Sequence, residues 1–534
     1  MILNSLEKKF LEAEAERLVV EAGISTHVET LLAQVHLRRG RPRELPVHAL
    51  FFAMQLMSFS GEFYLNDVAK VLNNLSMVTR RRLGIVRDSG RPITSRQVQY
   101  LVDRIDAVLR RDFAGKDKRD ETRYADFDQV FGAIATAGTH ADTAKSSSLS
   151  LDASDILSWG TSSRVWARVL DGETDVESWV KMQRITDPDA EFRGSKDHDY
   201  KKPVFGFEVT VATSVRDEGG VAVPRGAKAA RFRPVNVNAR EAALACLQEV
   251  ATKRGRLGDV LVDREYTQSK HGNDFLNPVR LLGGEPVFAL KLNQLGPSTP
   301  VRGAVIIDGQ PFSPSIPKSL MHLVPPSTKG ADTYKPSPGE LAEYQAKVKA
   351  RSMYALVPHG QRRENGTSVF ECPGAAGKMD CHLQPPKRNS RRILLPAANP
   401  PKHAVEGSVC SAAFRSFTMQ ELPLNQRHLY GSIEWHKSYS RRGSTIEPHF
   451  AALKDESAEG FRRGNFRVRG LIKTGLMVAF ALASTNRRIA LSWDRSLVAG
   501  VVPPKKLRGR PRRQAWTSLV LVEAKVQPEV VLRV

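Results

Sequence analysis

Two short apolar runs, each closing on an aspartate, constrain this chain more than anything else in it. Leu149-Ser150-Leu151 runs into Asp152, and Val260-Leu261-Val262 runs into Asp263, which opens Asp263-Arg264-Glu265-Tyr266. Bounded runs of this kind read as buried strands, so both acids are expected on or at the end of a strand. A third acid, Glu447, lies in Tyr439-Ser-Arg-Arg-Gly-Ser-Thr-Ile-Glu-Pro-His-Phe-Ala-Ala-Leu-Lys454. Carboxylates spread over most of a chain and brought together by the fold make an oxygen cage for divalent metal, and Mg²⁺ favours oxygen ligands. A pair of such ions, roughly 3.5–4 Å apart, stabilises both the attacking and the leaving oxygen of a phosphodiester displacement.

The chain around these acids alternates strand and helix. Strands are expected over Phe205 to Thr213, Arg231 to Val237, Gly258 to Asp263 and Val287 to Leu292, with a helix over Arg240 to Lys253. Residues 1–124 read as helical. There Asn66-Asp67 and Thr94-Ser95 are candidate helix caps, and Arg80, Arg81, Arg82, Arg96 and Arg104 suit a helix-turn-helix-like DNA reader. Residues 125–146, rich in Gly, Ala, Thr and Ser, read as a linker; 147–293 as the first part of the α/β core; 294–426 as a β-rich insertion; 427–495 as the returning second part; and 496–534 as a basic tail. Within the insertion, β-like runs are expected at Ala304 to Ile307 and Ser352 to Val357 and a helix at Pro338 to Lys349. Arg388, Arg391 and Arg392 are candidate DNA contacts there.

Glu447 and Lys454 are seven residues apart, two helical turns at about 3.6 residues each, which places both on one face. Pro448 fits only the first turn of a helix, so that helix is expected to begin near Thr445 or Ile446, leaving Tyr439, Arg441 and Arg442 in the loop before it. An arginine pair in such a loop suits a phosphate. Glu434 is the fallback third acid.

These blocks resemble the DDE transposases of bacterial insertion sequences, in particular the group with a Tyr, Arg, Glu, Lys signature around the third acid. The likeness runs from about Ser147 to Asn486: Asp152-Ala-Ser154 matches the first-acid motif, Asp187-Pro-Asp-Ala190 a segment that follows it, Asp263-Arg-Glu-Tyr266 the second, and Tyr439 to Lys454 the third. Two positions depart from the pattern: Glu265 replaces a small residue, and Arg442 lies one residue further from Glu447. The resemblance implies a ribonuclease-H-like mixed-sheet core, with Asp152, Asp263 and Glu447 holding two Mg²⁺ or Mn²⁺ ions. It implies support from Tyr439, Arg442 and Lys454, nicking and strand transfer at element ends, and a homodimer bridging two ends of double-stranded DNA. A catalytically inactive, DNA-binding relative is the alternative, and a nuclease that cuts without joining is a further one.

Composition agrees with a polyanionic partner. With 80 Lys and Arg against 57 Asp and Glu the formal net charge is +23, and cations that neutralise phosphates gain affinity by releasing counterions. The 41% hydrophobic content argues against a disordered chain. Arg508-Gly-Arg-Pro-Arg512-Arg513 has the form of a minor-groove hook, with Arg508, Arg510 and Arg512 as contacts, and Arg39 to Arg43 is a similar run. The longest nearly apolar stretch, Gly475 to Ala483, is far short of the roughly 20 residues of a membrane span. No signal peptide is evident, so a cytoplasmic, nucleoid-associated protein is expected. Four cysteines make no disulfide framework. Cys246 reads as core, whereas Cys372, Cys381 and Cys410, with His382 and His403 nearby, are candidate ligands of a structural Zn²⁺.

Overall fold

The computed structural model describes residues 5–35, 45–61, 63–86, 91–170, 177–193, 204–268, 272–326, 336–384, 399–455, 460–461 and 465–500, with the backbone alone for 162–170 and 177–184. Arg508, Arg510 and Arg512, the run Arg39 to Arg43, and Arg388, Arg391 and Arg392 lie outside the described residues.

A six-stranded mixed sheet organises the α/β part. Strand β1 (Leu149–Leu157) leads to the antiparallel hairpin of β2 (Ser162–Leu170) and β3 (Glu177–Ile185), then to β4 (Glu191–Arg193), β5 (Val204–Ser214) and β6 (Ala227–Pro234). β7 (Asp259–Val262) and β8 (Glu285–Phe288) complete the set. β5 runs antiparallel to β1 on one edge, and antiparallel to β4 and then β6 on the other. On the far side of β1, β7 and then β8 add in parallel. The β2–β3 hairpin has no counterpart in the sequence reading.

Both faces of the sheet are covered, which is why its strands carry apolar residues on both sides. Helix α8 (Ala239–Arg254) lies on one face, where Leu149, Leu151, Ala212 and Ala229 pack with Ala243, Cys246 and Leu247. The other face, with Phe207, Val209, Val211, Ala230 and Phe232, meets a core of helices. These are α1 (Ser5–Ala22), α2 (Ser25–Val35), α3 (Val47–Ser58), α4 (Leu65–Asn73), α5 (Met77–Arg82), α6 (Ser95–Leu109), α7 (Ala125–Thr136) and α13 (Leu471–Val498). The axis of that core is α13, buried on nearly every side from Leu471 to Trp493 and packed on α7, α3 and β6. Its central run, Gly475 to Ala483, is apolar on every side because each face there meets other protein rather than water.

Two expectations are corrected here. Residues 125–146 are no linker: α7 occupies 125–136, and Phe127, Val130, Phe131 and Ile134 recur at helical spacing and are buried against α13 and β6. The boundary at 124 separates no cores either, since the N-terminal helices share one core with α13 and the sheet.

α9 (Leu276–Leu281) comes just before β8, and between β8 and the third acid come two small antiparallel sheets. One is formed by β9 (Pro297–Val301), β10 (Ala304–Ile307) and β11 (Gln310–Phe312), the other by β12 (Val357–His359), β13 (Ser368–Glu371) and β14 (Phe414–Phe417), with α10 (Pro338–Ser352) between them in sequence. α10 starts with a Ser337–Glu340 capping box and runs through Ser352, so no strand begins at 352 as expected. The chain returns through α11 (Ile433–Gly443), which packs on β7 and β8, and α12 (Ile446–Leu453), which packs on β1. Among the described residues no helix is long and apolar enough to cross a membrane.

Candidate active site

Strand register brings the first two acids together. Leu149 pairs with Val260 and Ser150 with Leu261 in the parallel β1–β7 ladder, and the same register continued sets Asp152 level with Asp263 just past the end of β7. Helix α12 starts beside β1 and carries Glu447 in its first turn, with Pro448 following where a helix tolerates proline. The fourth partner of this junction is Arg442, near the end of α11. Its Nη2 lies 2.6 Å from Asp152 Oδ2 and 4.0 Å from Asp263 Oδ2, and its Nη1 lies 3.5 Å from Glu447 Oε1. Three carboxylates from remote parts of the chain thus meet on one guanidinium.

The electrostatics follow from that arrangement. Burial pushes the Asp152 carboxyl above its usual range, and Arg442 and the Ala153 N–H it accepts only partly oppose this. Burial also works against the Arg442 charge, yet Asp152, Tyr439, Asp263 and Glu447 outweigh it and hold its pKa above the ordinary value. Asp263 Oδ1 accepts the Arg264 N–H at 2.6 Å, which fixes the turn after β7. Glu447 is the most exposed of the three acids, at 64% of its side chain, and lies open to an incoming ligand.

Tyr439 sits one turn before Arg442 on α11 with its ring stacked on Trp435 at 5.1 Å. Lys454 caps the end of α12, and its Nζ donates to Ser154 Oγ at 2.7 Å. Ser154 is two residues beyond Asp152 on the same face of β1, so the ammonium lies roughly 7 Å along the strand from the first acid. Tyr439, Arg441 and Arg442 are helical, contrary to the expected loop: α11 continues to Gly443, and α12 starts anew at Ile446. Nor do the two arginines act as a pair. Arg441 turns inward to Asp259 Oδ2 at 2.5 Å and to the Ser438 and Arg216 carbonyls.

A second charged group adjoins the first. Asp155 on β1 pairs in register with Glu208 on β5, and Arg193 of β4 binds both, its Nη1 2.9 Å from Glu208 Oε2. Burial, with Arg193 opposing and nearby acids adding, pushes Glu208 up to about 7. Asp187-Pro-Asp-Ala190 has a structural task. Fully buried Asp187 accepts from Ser158 Oγ at 2.5 Å and from the Gly470 N–H at 3.2 Å, while Asp189 accepts from Leu471 N–H at 2.7 Å and binds Arg110 through both oxygens. These two acids cap α13 at its start. Gly470 has φ +93° there, and a Cβ on it would meet Arg110 Nη2 at 2.7 Å. None of this carried a sequence signal beyond the acids themselves.

The remaining candidates lie apart. Glu434 opens α11, eight residues and about 12 Å of helix rise from Arg442. Arg96 is exposed in the first turn of α6, where Thr94 forms the cap, with Gln97 completing a capping box. α4 starts at Leu65, before the expected Asn66-Asp67 cap, and Tyr64 at its cap position gives no side-chain capping bond. Cys372, Cys381 and Cys410 are buried free thiols around β13 and β14. Burial and the neighbouring thiols push Cys410 up to about 11. Among the described residues no group of three or more His, Cys, Asp or Glu side chains is arranged to hold a metal ion, either at these thiols or at the acids, where Arg442 stands between the carboxylates. The acid donor set nonetheless suits a hard cation: three carboxylates, no thiolate and no imidazole, already gathered on one positive charge. Compared with protein-family models this chain matches none, and compared with curated proteins it matches none.

Proposed function

We propose that this chain is a metal-dependent enzyme that cuts and joins DNA in the manner of a DDE transposase. The observation that carries the reading is the meeting of Asp152, Asp263 and Glu447 on Arg442, from a strand, a strand end and a helix start. Strand order supports it: β1, β5 and β6 are antiparallel and β7 and β8 parallel to β1, the order a ribonuclease-H-like core requires, with acids on the first strand and after the fourth. A net charge of +23 favours a DNA partner.

Asp152, Asp263 and Glu447 are the residues that would hold Mg²⁺ or Mn²⁺. Bound there, the metal supplies positive charge for the reacting phosphate and acidifies a water. Arg442 offsets part of the carboxylate charge without metal, and its planar fork suits a phosphate when they are otherwise occupied. Lys454, fixed on Ser154, offers a second cation along the strand. No covalent protein–DNA intermediate is required, so no serine or tyrosine nucleophile is needed. A dimer holding two element ends belongs to this reading. The zinc expected at Cys372, Cys381 and Cys410 has sulfur donors in one small unit, and no step depends on it.

The test uses a plasmid carrying the DNA that flanks the protein's own coding sequence. With Mn²⁺ or Mg²⁺ the wild type is expected to nick and join it, and Asp152→Asn or Glu447→Gln to lower cleavage at least a hundredfold, while DNA binding persists because in this reading the carboxylates hold metal rather than position the duplex. Cleavage by either variant at the wild-type rate would disprove the assignment. One observation favours a second reading, a DNA-binding relative without catalysis: Arg442 already occupies the acids. In that case the wild type binds the flanking DNA and never cuts it.

A further inference from the structure

A cavity of about 680 Å³ opens between the N-terminal helices, the end of β1 and the segment leading into α13. Tyr64, Trp159, Lys70, Arg467, Arg469 and Lys473 are among its walls. The last segment reads Phe466-Arg467-Val468-Arg469, and its alternation is that of an extended chain: Phe466 and Val468 are buried, whereas both arginines are exposed into the cavity. The Arg467 guanidinium carbon lies 5.3 Å from the Tyr64 ring centre and 5.4 Å from that of Trp159, so two aromatic faces hold the cation. Lys70 is paired with Asp67 at 2.7 Å and Lys473 with Asp103 at 2.5 Å. Among the described residues neither Arg467 nor Arg469 makes an ion pair. A cavity with two uncompensated arginines, one held by aromatic rings before any ligand arrives, is suited to an anion whose own charge has to be met there.

The cavity also lies at a defined place relative to the acids. Trp159 lies two residues past the end of β1 and seven beyond Asp152, at most roughly 23 Å at about 3.3 Å per residue. That span corresponds to at most roughly seven base pairs of duplex at about 3.4 Å each. We propose that this cavity binds the phosphodiester backbone of duplex DNA within about seven base pairs of the phosphate at Asp152, through Arg467 and Arg469. The placement relative to a scissile phosphate rests on the function proposed above; the binding of DNA backbone in the cavity does not.

The experiment titrates labelled duplex DNA with the full-length protein over about 50 to 200 mM salt, without metal. Each phosphate contact contributes about 0.9 to the slope of log affinity against log salt, so Arg467→Ala with Arg469→Ala is expected to reduce that slope by nearly two and to weaken binding about ten- to a hundredfold on any sequence. Arg467→Lys with Arg469→Lys is expected to keep most of the slope. Wild-type tryptophan emission should change on DNA addition, and Trp159→Phe should remove that change. An unchanged slope in the alanine variant overturns the proposal, as does a lysine variant that loses as much as the alanine one, since the role is then structural. So does a slope change seen only with single-stranded DNA. If DNA binding behaves as expected but the wild type never cuts, the cavity stands and the catalytic reading fails.

Discussion

Arg442 and Glu208 show how single residues set the charge of this region. Three carboxylates around one guanidinium leave an excess of negative charge, which is the condition for attracting a metal, and the guanidinium keeps that excess tolerable in a partly buried place. Glu208 presents the opposite situation. It is 5% exposed and its carboxyl is pushed from 4.5 up to about 7. An acid whose folded pKa is raised holds its proton longer in the folded state, so its stabilising effect is full below 4.5 and is lost as pH rises toward about 7. Glu208→Gln keeps the shape without the titration. Urea unfolding midpoints measured from pH 4 to 8 are expected to decline less steeply with pH in this variant than in the wild type; an equal decline would mean that Glu208 does not titrate in this window.

At the scale of elements, capping decides where the longest helix begins. Asp187 and Asp189 satisfy the first N–H groups of α13, and Asp189 also carries Arg110. Asp189→Asn removes the charge from these bonds, and charged hydrogen bonds are worth about 1.5–3 kcal/mol each. Its denaturation midpoint should therefore fall by an amount equivalent to about 2 kcal/mol near pH 7. The difference should narrow in acid, because Asp189 has a depressed carboxyl pKa and its contribution is lost as pH falls through that value. No change at neutral pH would show the cap to be dispensable. The strands β1, β5 and β7 and the helices α8 and α10 were legible because short apolar runs and capping residues are local signals. Helix α7 was not, since Gly, Ala and Thr around it hid Phe127, Phe131 and Ile134, whose role comes from α13 more than 340 residues later. The sequence places Arg442 in a loop for a related reason. Pro448 correctly marked a helix start at Ile446, but nothing local announced that another helix ends three residues earlier.

Over the whole molecule, the acids were legible one by one and their meeting was not. Asp152 and Asp263 each ended an apolar run, whereas their common level depends on a parallel register set by α8 and the crossover between them. The N-terminal helices, the sheet and α13 share one core, so the arginines beside Trp159 and the acids at Asp152 sit on one continuous body. A partner held at both places would be positioned rigidly, which in-line displacement requires. Metal binding by the three acids is measured most directly by Mn²⁺ titration followed by electron paramagnetic resonance, with flanking DNA present. The wild type is expected to take up Mn²⁺ that Mg²⁺ displaces and that a variant carrying Asp152→Asn and Glu447→Gln fails to bind. Equal uptake by the two proteins would contradict the account.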